Sequence, residues 1–243
     1  MIENPNDPSL RSFIDVAPDS PFPIQNLPFG VFQRRDMQHD RVGVAIGTHV
    51  VDLVVIEQAG VLKVPGLVRD FFVDQRGLGK LMSEGDRALW RQVRARISEL
   101  LQHDVPILRD DAELRNRGIL RQRDVYMKLP APIPNYTDFY SSREHATNVG
   151  IMLRGKDNAL MPNWLHLPVA YHGRASSVVV SGTDIKRPCG QTKADDTDAP
   201  TFGPSKSLDF ELELGLLIGQ GNQLGQPIST AQAAEHVFGM VLV

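Results

Sequence analysis

Six consecutive residues, Leu129-Pro130-Ala131-Pro132-Ile133-Pro134, restrict this chain more than any other stretch. Alternate prolines remove backbone N–H donors and fix φ, which forbids both a helix interior and a central strand. The run reads as an extended, semi-rigid linker. It divides the sequence into an amino-terminal domain over 1–129, the linker at 130–134 and a second domain over 135–243. A chain of 243 residues is long enough for two such cores.

The first domain begins with an irregular arm. Pro5, Pro8, Pro18, Pro21, Pro23 and Pro28 block regular structure over 1–28, while Phe13, Ile14, Phe22, Ile24 and Leu27 offer apolar anchors. Residues 31–35, 41–46 and 49–55 are short and rich in Val and Ile, and Gly47-Thr48 between the last two reads as a tight hairpin turn. Closely spaced short strands point to a small barrel. Ser83-Glu84-Gly85-Asp86 then opens a helix with Ser83 as its cap and Leu89, Val93, Ile97, Leu100 and Leu101 as its apolar stripe.

The second domain carries two stretches with chemical content. In Asn135-Tyr136-Thr137-Asp138-Phe139-Tyr140-Ser141-Ser142-Arg143-Glu144-His145, Thr137 is a candidate cap and Asp138 suits the positive end of a helix. A helix from there to about residue 149, weakened or ended at Gly150, would put Asp138 and His145 on one face, two turns apart. In Leu208-Asp209-Phe210-Glu211-Leu212-Glu213-Leu214 the alternation is strict, the signature of a strand with Asp209, Glu211 and Glu213 on one face. Three like charges in a row repel, and a divalent cation would relieve them. All-carboxylate ligation suits Ca²⁺ or Mg²⁺ rather than Zn²⁺. A strand is expected at 176–180, a long aperiodic loop from 182 to 207 holding Asp195, Asp196 and Asp198 as solvated acids, a helix at 231–237 and a final strand at 238–243.

Several function classes fall away. A net charge of −3 leaves no electrostatic footprint for nucleic acid. No apolar run approaches the length of a membrane span. The lone Cys189 forms no internal disulfide, and Met1-Ile2-Glu3-Asn4-Pro5 lacks a basic segment followed by an apolar one. The expected compartment is the cytoplasm. Gly219-Gln220-Gly221 lacks both the full dinucleotide fingerprint and its helix context.

Tyr136-Thr137-Asp138-Phe139-Tyr140-Ser141-Ser142, His145-Ala146-Thr147-Asn148-Val149-Gly150, Leu160-Met161-Pro162-Asn163-Trp164 and Tyr171-His172-Gly173-Arg174-Ala175-Ser176-Ser177 resemble, in order, the fumarylacetoacetase family. So does the segment from Asp209 to Glu213. The resemblance runs almost without gaps from residue 135 to 243, with a weaker match near residues 12–30. It implies a mainly β fold with some α: an SH3-like small barrel, then part of a β-rich catalytic roll. It also implies metal-assisted hydrolysis of the C–C bond of 4-fumarylacetoacetate to fumarate and acetoacetate, the last step of tyrosine and phenylalanine breakdown.

By resemblance, Asp138, Glu211 and Glu213 are ligands of Ca²⁺ or Mg²⁺, and His145 is the general base. Tyr140, Arg154 and Tyr171 contact a small β-diketo acid substrate. Asp209 and His172 match no family role and read as structural, and Trp164 reads as packing. The resemblance further implies a homodimer. In the family the chain continues past the equivalent of Val243 and supplies a further aspartate for the metal, a lysine and the carboxylate that orients the histidine, so a truncated chain of impaired activity is expected. Competing readings are a related acylpyruvate hydrolase or β-keto-acid decarboxylase, and a non-catalytic fragment that pairs with intact subunits.

Overall fold

The computed structural model describes residues 4–73 and 77–243. Met1, Ile2 and Glu3, part of the opening segment read above, lie outside the described residues. The architecture is sheet-based with helices packed on it, as expected, and divides into two compact units. The larger comprises residues 1–131 and 180–243, the smaller residues 132–179.

The larger unit is built on β1 (Phe29–Arg34), β2 (Asp40–Ile46) and β3 (His49–Asp52). Val31, Val42, Val44, Ile46 and Val51 enter the main core, Val50 joins Phe32 and Val125 in a second small cluster, and Gly47, at φ 53°, turns the chain between β2 and β3. The expected third strand was longer. Instead the run Leu53–Gln58 forms helix α1, because buried Asp52 accepts the Val54 and Val55 N–H groups at 3.0 and 3.3 Å. The same carboxylate takes Arg41 Nε at 2.9 Å. Helices α2 (Gly79–Glu84), α3 (Arg87–Leu101), α4 (Pro106–Arg109) and α5 (Ala112–Gly118) follow. Strands β4 (Ile119–Arg121) and β5 (Val125–Lys128) then close a curled antiparallel sheet of order β4-β3-β2-β1-β5.

Helix α3 has the expected stripe, with Val93, Ile97, Leu100 and Leu101 buried and Leu89 partly so. Its cap is Asp86, which accepts Leu89 N–H at 2.8 Å, while Ser83 lies in α2. Both residues are good caps. Gly85 decides between them, because its extended backbone breaks α2 and any Cβ there would overlap the Leu81 carbonyl and the Trp90 indole. The arm is pinned by buried Ile14, Ile24 and Leu27 and by Arg94, whose Nη2 donates to the Gln25 carbonyl at 2.6 Å.

The smaller unit contains β6 (Thr137–Phe139), α6 (Arg143–Arg154) and β7 (Ala170–His172). The rest of the larger unit contains the hairpin β8 (Cys189–Thr192) with β9 (Thr201–Pro204), then β10 (Leu214–Ile218), α7 (Ala233–His236) and β11 (Val237–Leu242). Two expectations fail here. The stretch 182–207 includes a hairpin, with the acids at 195, 196 and 198 exposed in its connecting loop. Ala175–Ser177 is a single 3₁₀ turn rather than the start of a strand.

Strand β10 pairs antiparallel with β11 from Leu214↔Leu242 to Ile218↔Val237. Phe238 lies 6.1 Å from Phe29 and 5.2 Å, edge to face, from Trp90, which ties this hairpin to the core of its own unit. Among the described residues no helix is long and apolar enough to cross a membrane.

Candidate active site

The first half of the candidate site is a two-stranded ladder. Strands β6 and β7 pair in the register Thr137↔His172, Asp138↔Tyr171 and Phe139↔Ala170. The sequence predicts a helix beginning at Asp138, but Asp138 is a strand residue. Thr137-Asp138 mimics a cap. The distant segment at 170–172 instead captures the backbone of residues 137–139, and tertiary pairing overrides the local preference. Asp138 and Tyr171 therefore face each other directly, and the Tyr171 hydroxyl donates to Asp138 Oδ2 at 2.6 Å. The ladder closes at Gly173, whose N–H donates to the Tyr136 carbonyl at 2.9 Å. The Tyr136 ring lies over Gly173 so closely that any side chain there would overlap it.

The chain leaves β6 through Tyr140, turns at Ser141-Ser142 and enters α6. Ser142 is the cap, accepting the His145 N–H at 3.3 Å. His145 thus sits in the first turn of α6 rather than two turns into a longer helix. Its imidazole packs edge to face on the Tyr140 ring, with centroids 5.6 Å apart. The Tyr140 hydroxyl reaches the Ala146 carbonyl at 3.3 Å, so the ring is held at both ends of this short connection.

Helix α6 runs through Gly150 instead of ending there. Gly150 is buried, and the Ala159 carbonyl approaches it where a Cβ would stand. The helix stops at Gly155, at φ 81°. Arg154 is its last residue, with Nε donating to the Asn158 carbonyl at 3.1 Å and Nη2 to the Ala159 carbonyl at 2.7 Å. These bonds fold the following turn back on the helix and fix the guanidinium, a permanent cation at the helix C-terminus. An open depression of about 280 Å³ is lined by Tyr140, Ser141 and residues 164–169.

The remaining predicted ligands lie in the larger unit. Residues 208–213 are irregular rather than strand, and β10 begins at Leu214. Glu213 N–H donates to the Val243 carbonyl and Val243 N–H to the Glu213 carbonyl, each at 3.0 Å. The pairing stops at Glu213, so Asp209 and Glu211, poor strand formers with repelling charges, lie outside it together with the exposed Leu208, Phe210 and Leu212. Among the described residues, no three His, Cys, Asp or Glu side chains gather as a metal cluster. Asp138 belongs to the smaller unit and Glu211 and Glu213 to the larger. Their donor chemistry, three carboxylates, fits a hard divalent cation.

The structure thus brings Asp138 to Tyr171 and His145 to Tyr140. What the sequence reading missed is the contact of Trp164 with this group: its indole Nε1–H donates to the Tyr140 carbonyl at 2.9 Å. The signal was present, because Trp164 lies in one of the quoted motifs, but its partner is 24 residues away.

Comparison with known proteins gives the arrangement a family. The model described as fumarylacetoacetase N-terminal matches residues 25–130, and that described as fumarylacetoacetate (FAA) hydrolase C-terminal matches residues 135–243. Fumarylacetoacetase of Bos taurus is 54% identical over 232 residues, covering 96% of this chain and 55% of that protein. The Homo sapiens fumarylacetoacetase gives the same figures, and that of Arabidopsis thaliana is 48% identical over 237 residues, again covering 96% and 55%. The chain spans about half the length of these relatives. Both family models, in tandem over most of the sequence, and identity near one half with the relatives place this chain in the fumarylacetoacetase family.

Proposed function

We propose that this chain belongs to an enzyme that hydrolyses the C–C bond of 4-fumarylacetoacetate, in the breakdown of tyrosine and phenylalanine. The observation that carries the reading is the match of both family domains, with the Asp138-to-Tyr171 motifs among the matched residues. The proposed organisation is an amino-terminal domain over 1–129, a linker at 130–134 and a catalytic domain over 135–243. The matched regions, ending at 130 and resuming at 135, support it. A cytoplasmic homodimer is proposed from the family resemblance.

His145 acts as general base. It removes a proton from water, and the hydroxide adds to the ketone carbon of the fumaryl group, the carbonyl attached to the C=C bond. The C–C bond then breaks, its electron pair stays with the acetoacetate fragment, and that carbon takes up a proton. The products are fumarate and acetoacetate. Base catalysis of this kind contributes roughly 10²–10⁴-fold. Asp138, Glu211 and Glu213 would hold Ca²⁺ or Mg²⁺, which supplies Lewis-acid polarisation of the diketone. Tyr171 orients the Asp138 carboxylate by donating to it. Tyr140, Arg154 and Tyr171 bind the substrate, with Arg154 suited to a carboxylate or an oxyanion.

The test is loss of diketone absorbance with 4-fumarylacetoacetate, in Mg²⁺ or Ca²⁺ and then in chelator. It is run on this chain and on a chain of the relatives' length. Metal-dependent turnover by the longer chain, abolished by His145→Gln, is the expected result. Full turnover by His145→Gln, or a preference for acylpyruvates, would overturn it.

A further inference from the structure

The indole of Trp164 lies outside the roles assigned above, yet its bonds converge on them. Residues 161–167 form a compact turn. Trp164 N–H donates to the Met161 carbonyl at 3.0 Å, and the Asn163 carbonyl accepts from His166 and Leu167 N–H at 3.0 and 2.9 Å. Pro162 stiffens its start. From the middle of this turn the indole N–H reaches the Tyr140 carbonyl at 2.9 Å, while Tyr140 N–H donates to the Val169 carbonyl at 2.8 Å. Both peptide groups flanking the Tyr140 Cα are therefore held by one segment, residues 164–169. The Tyr140 ring in turn carries His145, edge to face at 5.6 Å.

We propose that Trp164 is a positioning residue: its indole N–H clamps the Tyr140 backbone and through the Tyr140 ring sets the pose of His145. Ordinary packing would use the indole ring alone. The hydrogen bond to a main-chain carbonyl at the exit of β6 gives the side chain a direction, and a carbonyl without that donor can rotate toward water. Displacement of the released Tyr140 main chain would carry its Cα–Cβ bond along and remove the face against which the imidazole rests. Small misplacements of a base have large kinetic consequences. The functional part of this inference rests on His145 being the base, but the geometry it asserts does not.

The experiment therefore reads geometry and turnover separately. Trp164→Phe keeps an aromatic ring and deletes the N–H. In the unaltered chain the His145 ring C–H signals should show a ring-current displacement from Tyr140, and the Trp164 indole N–H should be protected from solvent exchange. In Trp164→Phe most of that displacement should vanish. In the longer, active chain kcat should fall roughly 10-fold, the equivalent of one such hydrogen bond, with KM nearly unchanged. Met161→Ala, at an exposed side chain in the same turn, should leave both signals in place. Rapid exchange of the Trp164 indole N–H in the unaltered chain would overturn the proposal even if the variant fails to fold. Unchanged His145 signals in a folded Trp164→Phe would do the same. Failure of the base assignment shows separately, as retained turnover in His145→Gln.

Discussion

Replacing Gly150 by alanine sets two effects of known size against each other. Alanine in a helix interior is favoured over glycine by about 0.8–1.0 kcal/mol. A helix-propensity argument alone therefore makes Gly150→Ala stabilising. The structure gives the opposite sign. A Cβ at this position would stand 2.6 Å from the Ala159 carbonyl carbon and 2.9 Å from Arg154 Nη2, and would overlap the Ala159 oxygen. The obstacle is backbone, which cannot rotate aside as a side chain can. Overpacking of this kind costs about 1–3 kcal/mol. Moving residue 159 also breaks the Arg154 Nη2 bond at 2.7 Å, a charge-assisted bond at an exposed residue that adds about 1 kcal/mol. Net destabilisation of roughly 1–3 kcal/mol follows. Urea unfolding followed by far-UV dichroism measures it. Asn148→Ala is the comparator, since Asn148 is exposed on the same helix and should gain up to about 0.7 kcal/mol. A raised midpoint in Gly150→Ala would refute the close-approach argument.

Other expectations concern the larger unit. Burial raises the pKa of Glu57 above its ordinary 4.5, although the Phe71 and Phe72 N–H groups that it accepts pull the other way. A carboxyl that holds its proton more tightly when folded stabilises the fold fully below 4.5 and loses that contribution as pH rises through its folded value. Urea midpoints from about pH 4 to about pH 7 should thus fall more steeply in the parent chain than in Glu57→Gln. A steeper fall in the variant would contradict the burial argument. Asp52→Ala removes a fully buried carboxylate, the cap of α1 and the partner of Arg41, and should cost about 3 kcal/mol in the same measurement. Phe238→Ala, at a half-buried ring packed on Phe29 and Trp90, should cost about 2 kcal/mol. A loss below about 0.5 kcal/mol would mean that the β10–β11 hairpin does not depend on those rings.

Where the sequence carries a local signal, it is legible. The Val- and Ile-rich strands, the Gly47 turn and the α3 stripe each follow from residues within one element. The α1 cap was legible too, since Asp52 immediately precedes the apolar run, but continued Val and Ile favoured a strand reading. The misreading at Asp138 has a different origin. Thr137 and Ser142 are both capping residue types, and the choice is made by residues 170–172, which no local pattern identifies. Strands β8 and β9, with Cys-Gly-Gln-Thr opposite Thr-Phe-Gly-Pro, show no alternation and exist through their mutual pairing. The candidate site follows the same division. Its residue types were visible, whereas the Asp138–Tyr171 and Trp164–Tyr140 contacts depend on separations of 33 and 24 residues.

The position of Glu213 is governed from a distance as well. Its backbone is set by the register of β10 on β11, and that register is anchored where Phe238 meets Phe29 and Trp90 and where Leu217 joins the apolar core. Gly219 continues the anchor, since the Trp90 ring occupies the space a side chain there would need and Gly219 N–H donates to the His236 carbonyl at 2.8 Å. Arg87 of α3 adds an ion pair with Glu235 at 2.6 Å, exposed and therefore worth little. The β10–β11 hairpin thus uses the amino-terminal core of its own unit as its foundation. A ladder that slips by one residue would turn every side chain of β10 to the opposite face. The packing of Phe238 on Trp90 of α3 and Phe29 of β1 opposes that slip, and in doing so it fixes the direction in which the acidic segment leaves the hairpin.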